Sequence, residues 1–199
     1  LAGVGALGLC VKKGHIRSIG LSEVSAETLK KAHREFNVTA IQSEYSLWTR
    51  NPEIAVLKAC RELGVTFVAF SPVARAFLTG ALPEQPQFGE KDIRATMPRF
   101  LPENFVKNLR LLPEYRRISE EAGCTPAQFA LAWLLAKGED ILPIPGTQSL
   151  AHLTENNGAA AIRLSPDLIA RAEDLINERT VHGKRYGPQG ETEVDTEAF

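Results

Sequence analysis

The apolar positions of this chain follow two periods. Short runs rich in β-branched and aromatic residues recur at Ile16–Gly20 (IRSIG), Val38–Gln42 (VTAIQ), Val65–Phe70 (VTFVAF) and Ile141–Pro145 (ILPIP). Each is bounded by turn residues and reads as a strand. Between them the spacing becomes helical: Leu29, Ala32 and Phe36 in one stretch, Ile54, Leu57 and Arg61 with its neighbour Leu63 in a second, and Phe129, Ala132, Trp133 and Ala136 in a third. Start signals agree. Asn51-Pro52-Glu53 sets a capping side chain, a helix-compatible proline and an acid in one first turn; Thr125-Pro126-Ala127-Gln128 has the capping-box pattern. Ser165-Pro166-Asp167 opens a last helix with Leu168, Ala172, Leu175 and Ile176 along one side, and Gly64 and Gly138 stand just past two helix ends.

The resulting order is strand, helix, strand, helix, strand, a long excursion, helices, strand, helix, helix. Such alternation predicts an α/β fold of parallel strands joined by crossovers. The excursion over 73–104 is rich in Pro, Gly and charge and too long for a simple connector, so it reads as a functional flap or a mobile insertion. Residues 1–182 read as one folded unit and 183–199 as a polar tail, with no tandem repeat or low-complexity tract.

At 199 residues and 44% hydrophobic, the chain can bury the core of one soluble domain. Its net charge is −1 with both signs interspersed, which argues against a nucleic-acid or anionic-membrane partner and for a small molecule. Cys10, Cys60 and Cys124 are far apart and form no CxxC pair, so neither a disulfide framework nor a zinc site is expected, and a reducing cytoplasm fits best. The apolar residues 1–11 are about half a membrane span, with no signal-peptide charge before them, and read as part of a buried helix. The sequence starts at Leu1, and Met97 is its sole methionine, which reads as a fragment, a processed product or an unusual start.

Ligands of parallel α/β folds gather at the C-terminal ends of the strands. The residues at each strand tip are therefore informative: Leu21-Ser22-Glu23, then Gln42, then Phe70-Ser71-Pro72 and Arg75, then Gly146-Thr147-Gln148-Ser149. Each has two readings. Ser22 caps the next helix or meets a ligand; the Gln42 amide makes a structural or a functional hydrogen bond; Phe70 is core or a stacking face; Arg75 is a solvated charge or an anion's partner. Thr147 and Ser149 precede a helix, where hydroxyls cap and where free N–H groups also suit a phosphate.

Taken in order, IRSIGLSEVS, IQSEYSLWTRNPE, FVAFSPVARAFLTG and LPIPGTQSLAHLTEN resemble the aldo-keto reductase superfamily, nearest the branch of bacterial and plant reductases and potassium-channel β subunits. The resemblance runs from about Gly14 to Ile176 and includes DIRATMPRF in the excursion. It implies a TIM-type (β/α) barrel, present here as an incomplete one whose four strands correspond to the fifth through eighth. By resemblance Ser22 and Gln42 hydrogen-bond the nicotinamide carboxamide, with Glu23 where many relatives carry asparagine. Phe70 stacks on the nicotinamide ring, and Ser71, Val73 and Arg75 wrap the pyrophosphate. Gly146, Thr147, Gln148, Ser149 and His152 hold the adenosine 2′-phosphate, and Glu155 and Asn156 approach adenine.

The chain departs from the family pattern in two ways. Relatives carry a lysine or arginine near Gln148 or His152, so NADP is expected with NAD left open, and two glycines of the pyrophosphate loop are Ala74 and Ala76 here. The family's catalytic Asp, Tyr, Lys and His fall after strands two to four, before Leu1; Tyr45, Tyr115 and Tyr186 lie outside any matching motif, and His15 and His33 read as solvated. No catalytic or metal residue is thus expected in this chain.

The implied function is an oxidoreductase reducing small aldehydes or ketones, with this chain as the cofactor half. The alternatives are a non-catalytic cofactor-binding or regulatory module, or a remnant. Four strands cannot close a barrel, which leads to an expectation of self-association or pairing with an N-terminal half.

Overall fold

Four parallel strands, β1 (Ile19–Ser22), β2 (Val38–Glu44), β3 (Thr66–Phe70) and β4 (Ile141–Ile144), form one sheet in that order. They belong to a computed structural model of the protein, which describes residues 2–199. The helices are α1 (Ala2–Lys12), α2 (Ala26–Glu35), α3 (Val56–Leu63), α4 (Pro102–Asn108), α5 (Leu112–Glu121), α6 (Pro126–Ala136), α7 (Leu150–Gly158), α8 (Pro166–Leu175) and α9 (Pro188–Thr192).

Alternation along each strand sends side chains to two faces. Ile41, Phe67, Ala69 and Ile141 are buried on the face beneath α2, α3 and α6, where Leu29, Tyr45, Trp133 and Ala172 complete the core. On the opposite face, Ser22, Gln42, Val68 and Leu142 stand side by side in register. That face is open to solvent: Leu142 is 53% exposed and Ile144 40%.

Local signals explain most boundaries. Ser25 caps α2 by accepting from Thr28 N, Thr125 and Gln128 form a reciprocal capping box at α6, and Ser165 accepts from Leu168 N at α8. Gly64 ends α3 at φ 65°, a left-handed conformation that costs any other residue a Cβ clash.

Three features differ from the sequence reading. β1 starts at Ile19 rather than Ile16, because its ladder begins opposite Val38 and leaves Ile16 and Arg17 in solvent. Asn51–Glu53 is a 3-10 turn, with α3 starting only at Val56; Glu53, expected inside the helix, has its carboxylate bound by Arg50 and Tyr45 instead. α1 is largely exposed rather than buried. It touches the body at Val4 and Gly8, and a Cβ at Gly8 would meet the Phe36 ring at 2.5 Å.

Residues 183–199 lie against the body. Asp195 N donates to Glu23 O at 2.9 Å, and the Asp195 carboxylate accepts from Thr28 Oγ1 at 2.6 Å and Ser25 Oγ at 3.1 Å. Glu197 Oε1 accepts from Ala26 N at 2.7 Å, the free N-terminus of α2, and Arg185 is 8% exposed. The excursion is pinned by aromatics: Phe77 stacks on Trp48 at 4.0 Å, and Phe100 meets Trp48 edge-on at 5.3 Å. No helix among the described residues is long and apolar enough to cross a membrane.

Candidate functional site

The strand tips converge as parallel order requires. Ser22 and Gln42 are register partners on the open face, and Phe70 follows one alternation beyond Val68 on the same face. The capping alternative for Ser22 does not hold, since Ser25 supplies the cap and Ser22 is exposed. At β4 the roles divide. Ser149 is committed to the fold as the N-cap of α7, accepting from His152 N at 3.4 Å, while Thr147 Oγ1 accepts from Ser149 N at 3.0 Å and orders the turn.

Two clefts adjoin at this end. The first, about 640 Å³, is lined by Ser71, Val73, Arg75, Gly146, Thr147, His152, Glu155 and Asn156, with Asp92 and Arg94 from the excursion. The second, about 920 Å³, is lined by Ser22, Glu23 and Phe70, with Met97 from the excursion and Tyr186 and Glu193 from the C-terminal segment. Ile93 lines both. Gln42, Gln148 and Ser149 line neither cleft: Gln42 lies beside Ser22 on the open face, and Gln148 is exposed. Gln128 ties the first cleft's far wall to α6 by donating to Glu155 O at 3.0 Å.

The loop after β3 takes unusual backbone angles. Ser71 has φ 50°, and Ala74, Arg75 and Ala76 come next at 52°, 52° and 75°. Each non-glycine residue in this region costs roughly 1–2 kcal/mol. The three successive left-handed residues turn the Arg75 side chain towards the end of β2, where its Nη1 donates to Glu44 Oε1 at 2.7 Å.

Glu44 is the centre of a charge cluster that the sequence reading missed. It is 1% exposed, accepts also from Thr49 Oγ1 at 3.0 Å, and its Oε2 lies 3.2 Å from Arg185 Nε. Arg185 Nη2 pairs with Glu23, whose Oε1 accepts from Glu44 N at 3.3 Å and whose Oε2 accepts from Tyr186 Oη at 3.3 Å. Arg99 donates to Trp48 O and to Thr49 Oγ1 at 2.7 Å; burial brings its guanidinium down to about 10, against the opposing pull of Glu44. Burial likewise lowers Arg185. In the first cleft Arg94 pairs with Asp92 at 2.6 Å and donates to Arg75 O at 3.3 Å. One signal could have found Glu44: it lies two residues past Gln42 on the same strand face, where a buried carboxylate needs cationic partners.

Tyr45 and Tyr115 are core residues, whereas Tyr186 faces the second cleft. His15 is exposed; His33 is half-buried, with Nδ1 lacking a hydrogen-bond partner among the described residues. No group of three or more His, Cys, Asp or Glu among the described residues could hold a metal ion.

Residues 1–177 match the family model described as the Aldo/keto reductase family. The chain belongs to the aldo/keto reductase family. It is 46% identical over 188 residues to the aldo-keto reductase yakc [NADP(+)] of Schizosaccharomyces pombe, covering 93% of this chain and 55% of that protein. It is 40% identical over 196 residues to the aldo-keto reductase str7 of Strobilurus tenacellus, covering 97% of this chain and 58% of that one. The chain thus spans a little over half the length of these curated relatives. Among solved structures, the thermostable aldo-keto reductase Tm1743 in complex with the inhibitor epalrestat matches at 27% identity and TM-score 0.66, over 86% of this chain and 53% of that one. The glycerol dehydrogenase of Gluconobacter oxydans matches at 23% identity and TM-score 0.81, over 93% and 56%, a likeness of fold. The parallel α/β sheet of this family member matches that of solved aldo-keto reductase structures over the part it spans.

Proposed function

We propose that this chain is the nicotinamide-cofactor half of an NADP-dependent aldo-keto reductase acting on small aldehydes or ketones. In this reading its strands are the fifth to eighth of a barrel, and the residues of proton transfer lie outside it. The observation that carries the proposal is the sharing of one cleft by Ser71, Val73, Arg75, Gly146, Thr147, His152, Glu155 and Asn156, next to a second that holds Ser22, Glu23 and Phe70.

The donor set suits a dinucleotide. Arg75 and Arg94 offer guanidiniums to the first cleft, each paired with a carboxylate, Glu44 and Asp92, from which a phosphate would have to draw it, and the N-terminus of α7 adds free N–H groups beside Thr147. Ser22 and Gln42 offer a hydroxyl and an amide in register, matched to a carboxamide, with the Phe70 ring on the same face. When bound, the cofactor supplies the hydride. This chain's task is to bind and orient it: the cations neutralise phosphate, and the Ser22–Gln42 pair selects which ring face is presented. By resemblance, relatives carry a lysine or arginine near Gln148 or His152; an amide and an imidazole are weaker phosphate partners than a lysine or arginine, which keeps NAD as the second candidate.

The open face, with Leu142 and Ile144 exposed, and the edge strands β1 and β4 support self-association of the isolated chain. The free thiols Cys10, Cys60 and Cys124 suit a reducing cytoplasm.

Titrating NADPH and NADH into the purified chain, followed by tryptophan fluorescence, tests the reading. Saturable binding, tighter for NADPH, without aldehyde reduction by the chain alone is expected. Absence of binding overturns the cofactor assignment; turnover by the chain alone overturns the placing of proton transfer elsewhere. Light scattering should find dimers or larger species, and a monodisperse monomer refutes self-association.

A further inference from the structure

We propose that Glu44 is a positioning residue that holds both Arg75 and Arg185 with one carboxylate, coupling the phosphate cleft to the C-terminal segment that walls the second cleft. The Arg75 side of this rests on the cofactor reading above; the Arg185 side stands without it.

Glu44 ends β2 directly opposite Phe70, at the junction of the two clefts. A carboxylate 1% exposed is costly to bury without close partners, and Arg75 and Arg185 approach its two oxygens, one from the β3 loop and one from the C-terminal segment. Glu23 completes the second side by pairing with Arg185 and accepting from Tyr186. Both guanidiniums approach the Tyr186 ring, Arg75 at 5.8 Å and Arg185 at 4.3 Å from its centroid. Residues 186–190, with Glu193 and Val194, then continue as a wall of the second cleft.

The cluster is short of hydrogen bonds. Glu44 Oε2, Arg75 Nε and Arg185 Nε are buried without hydrogen-bond partners among the described residues. One carboxylate divided between two guanidiniums satisfies neither fully. An anion that draws Arg75 off Glu44 leaves the carboxylate to Arg185, which tightens the C-terminal wall. Such coupling is reciprocal: fixing the wall favours the anion by the same factor.

The test combines backbone hydrogen exchange over 183–199 with NADPH affinity, in the 199-residue chain, its Glu44→Gln and Arg75→Met variants and the double variant. Without ligand, Glu44→Gln should speed exchange over 183–199 by about tenfold; NADPH should slow that exchange in the wild type but not in Glu44→Gln. Glu44→Gln should also weaken NADPH by about tenfold, with the double variant no weaker than Arg75→Met alone. Unchanged exchange in Glu44→Gln overturns the proposal, as do affinity losses that add. If the wild type does not bind NADPH while Glu44→Gln still loosens 183–199, the cofactor reading fails and the anchoring of Arg185 stands. Should Glu44→Gln not fold, Arg185→Met approaches the same carboxylate from its other side. It must loosen 183–199 and abolish the NADPH-induced slowing, and retention of both overturns the proposal.

Discussion

Two charge clusters flank β2, built from nearly the same residue types, and they differ in completeness. Beyond the strand's end, on the helix-covered side, Glu53 accepts from Tyr45 Oη at 2.7 Å and from Arg50 Nε and Nη2 at 3.0 and 2.6 Å. Glu173 accepts from Lys137 Nζ at 2.9 Å and Trp133 Nε1 at 3.0 Å. None of these side chains is left with a buried, unpartnered polar atom among the described residues. The Glu44 cluster, facing the clefts, leaves three such atoms, on Glu44, Arg75 and Arg185. A complete network rigidifies a fold, whereas an incomplete one keeps polar groups in reserve where a ligand arrives.

The sharpest way to break this contrast is to remove one member from each cluster. Glu53→Ala strands the Tyr45 hydroxyl and leaves Arg50 only its longer pairing with Glu173 at 3.4 Å, and should cost about 3 kcal/mol in urea unfolding while leaving NADPH affinity unchanged. Arg75→Met should do the reverse: affinity falls about tenfold, or about 1.4 kcal/mol, with less than about 1 kcal/mol lost in stability, because Glu44 keeps Arg185 and Thr49. Equal stability losses in the two variants would erase the distinction. Ala76→Gly relieves a left-handed residue at φ 75° and should gain about 1 kcal/mol, read as a higher thermal midpoint; a lower midpoint would show that the loop is unstrained.

The finest probe is pH. Burial raises the Glu53 carboxyl, but hydrogen bonds from Arg50 and Tyr45 outweigh it and hold the group below the usual carboxylate range. A folded value below the unfolded one means stability present above about pH 4.3 and lost as pH falls through the folded value. Glu53→Gln should therefore flatten the acid limb of the stability profile between these values; an unaltered limb would assign it to other carboxylates.

The sequence exposed what depends on neighbours along the chain. β2, β3 and β4 were legible to within two residues at each end because their apolar runs are short and bounded, and the Thr125–Gln128 capping box was legible because its partners are three residues apart. The placement of the strand tips was legible too, since parallel order alone brings Ser22, Gln42 and Phe70 to one face. Long-range pairing was not. Glu23 and Arg185 are 162 residues apart, and composition sees only a charge in a polar tail. The length of β1 also escaped, because it is fixed by where Val38 starts and not by Ile16 itself.

Ile93 has a consequence for what this molecule can hold. It is 63% exposed and borders both clefts, so it stands at their shared edge as a hydrocarbon sill. A short molecule settles on one side or the other. Only a long, bendable one drapes over the sill and fills both, so reach and flexibility, as much as charge, select the occupant.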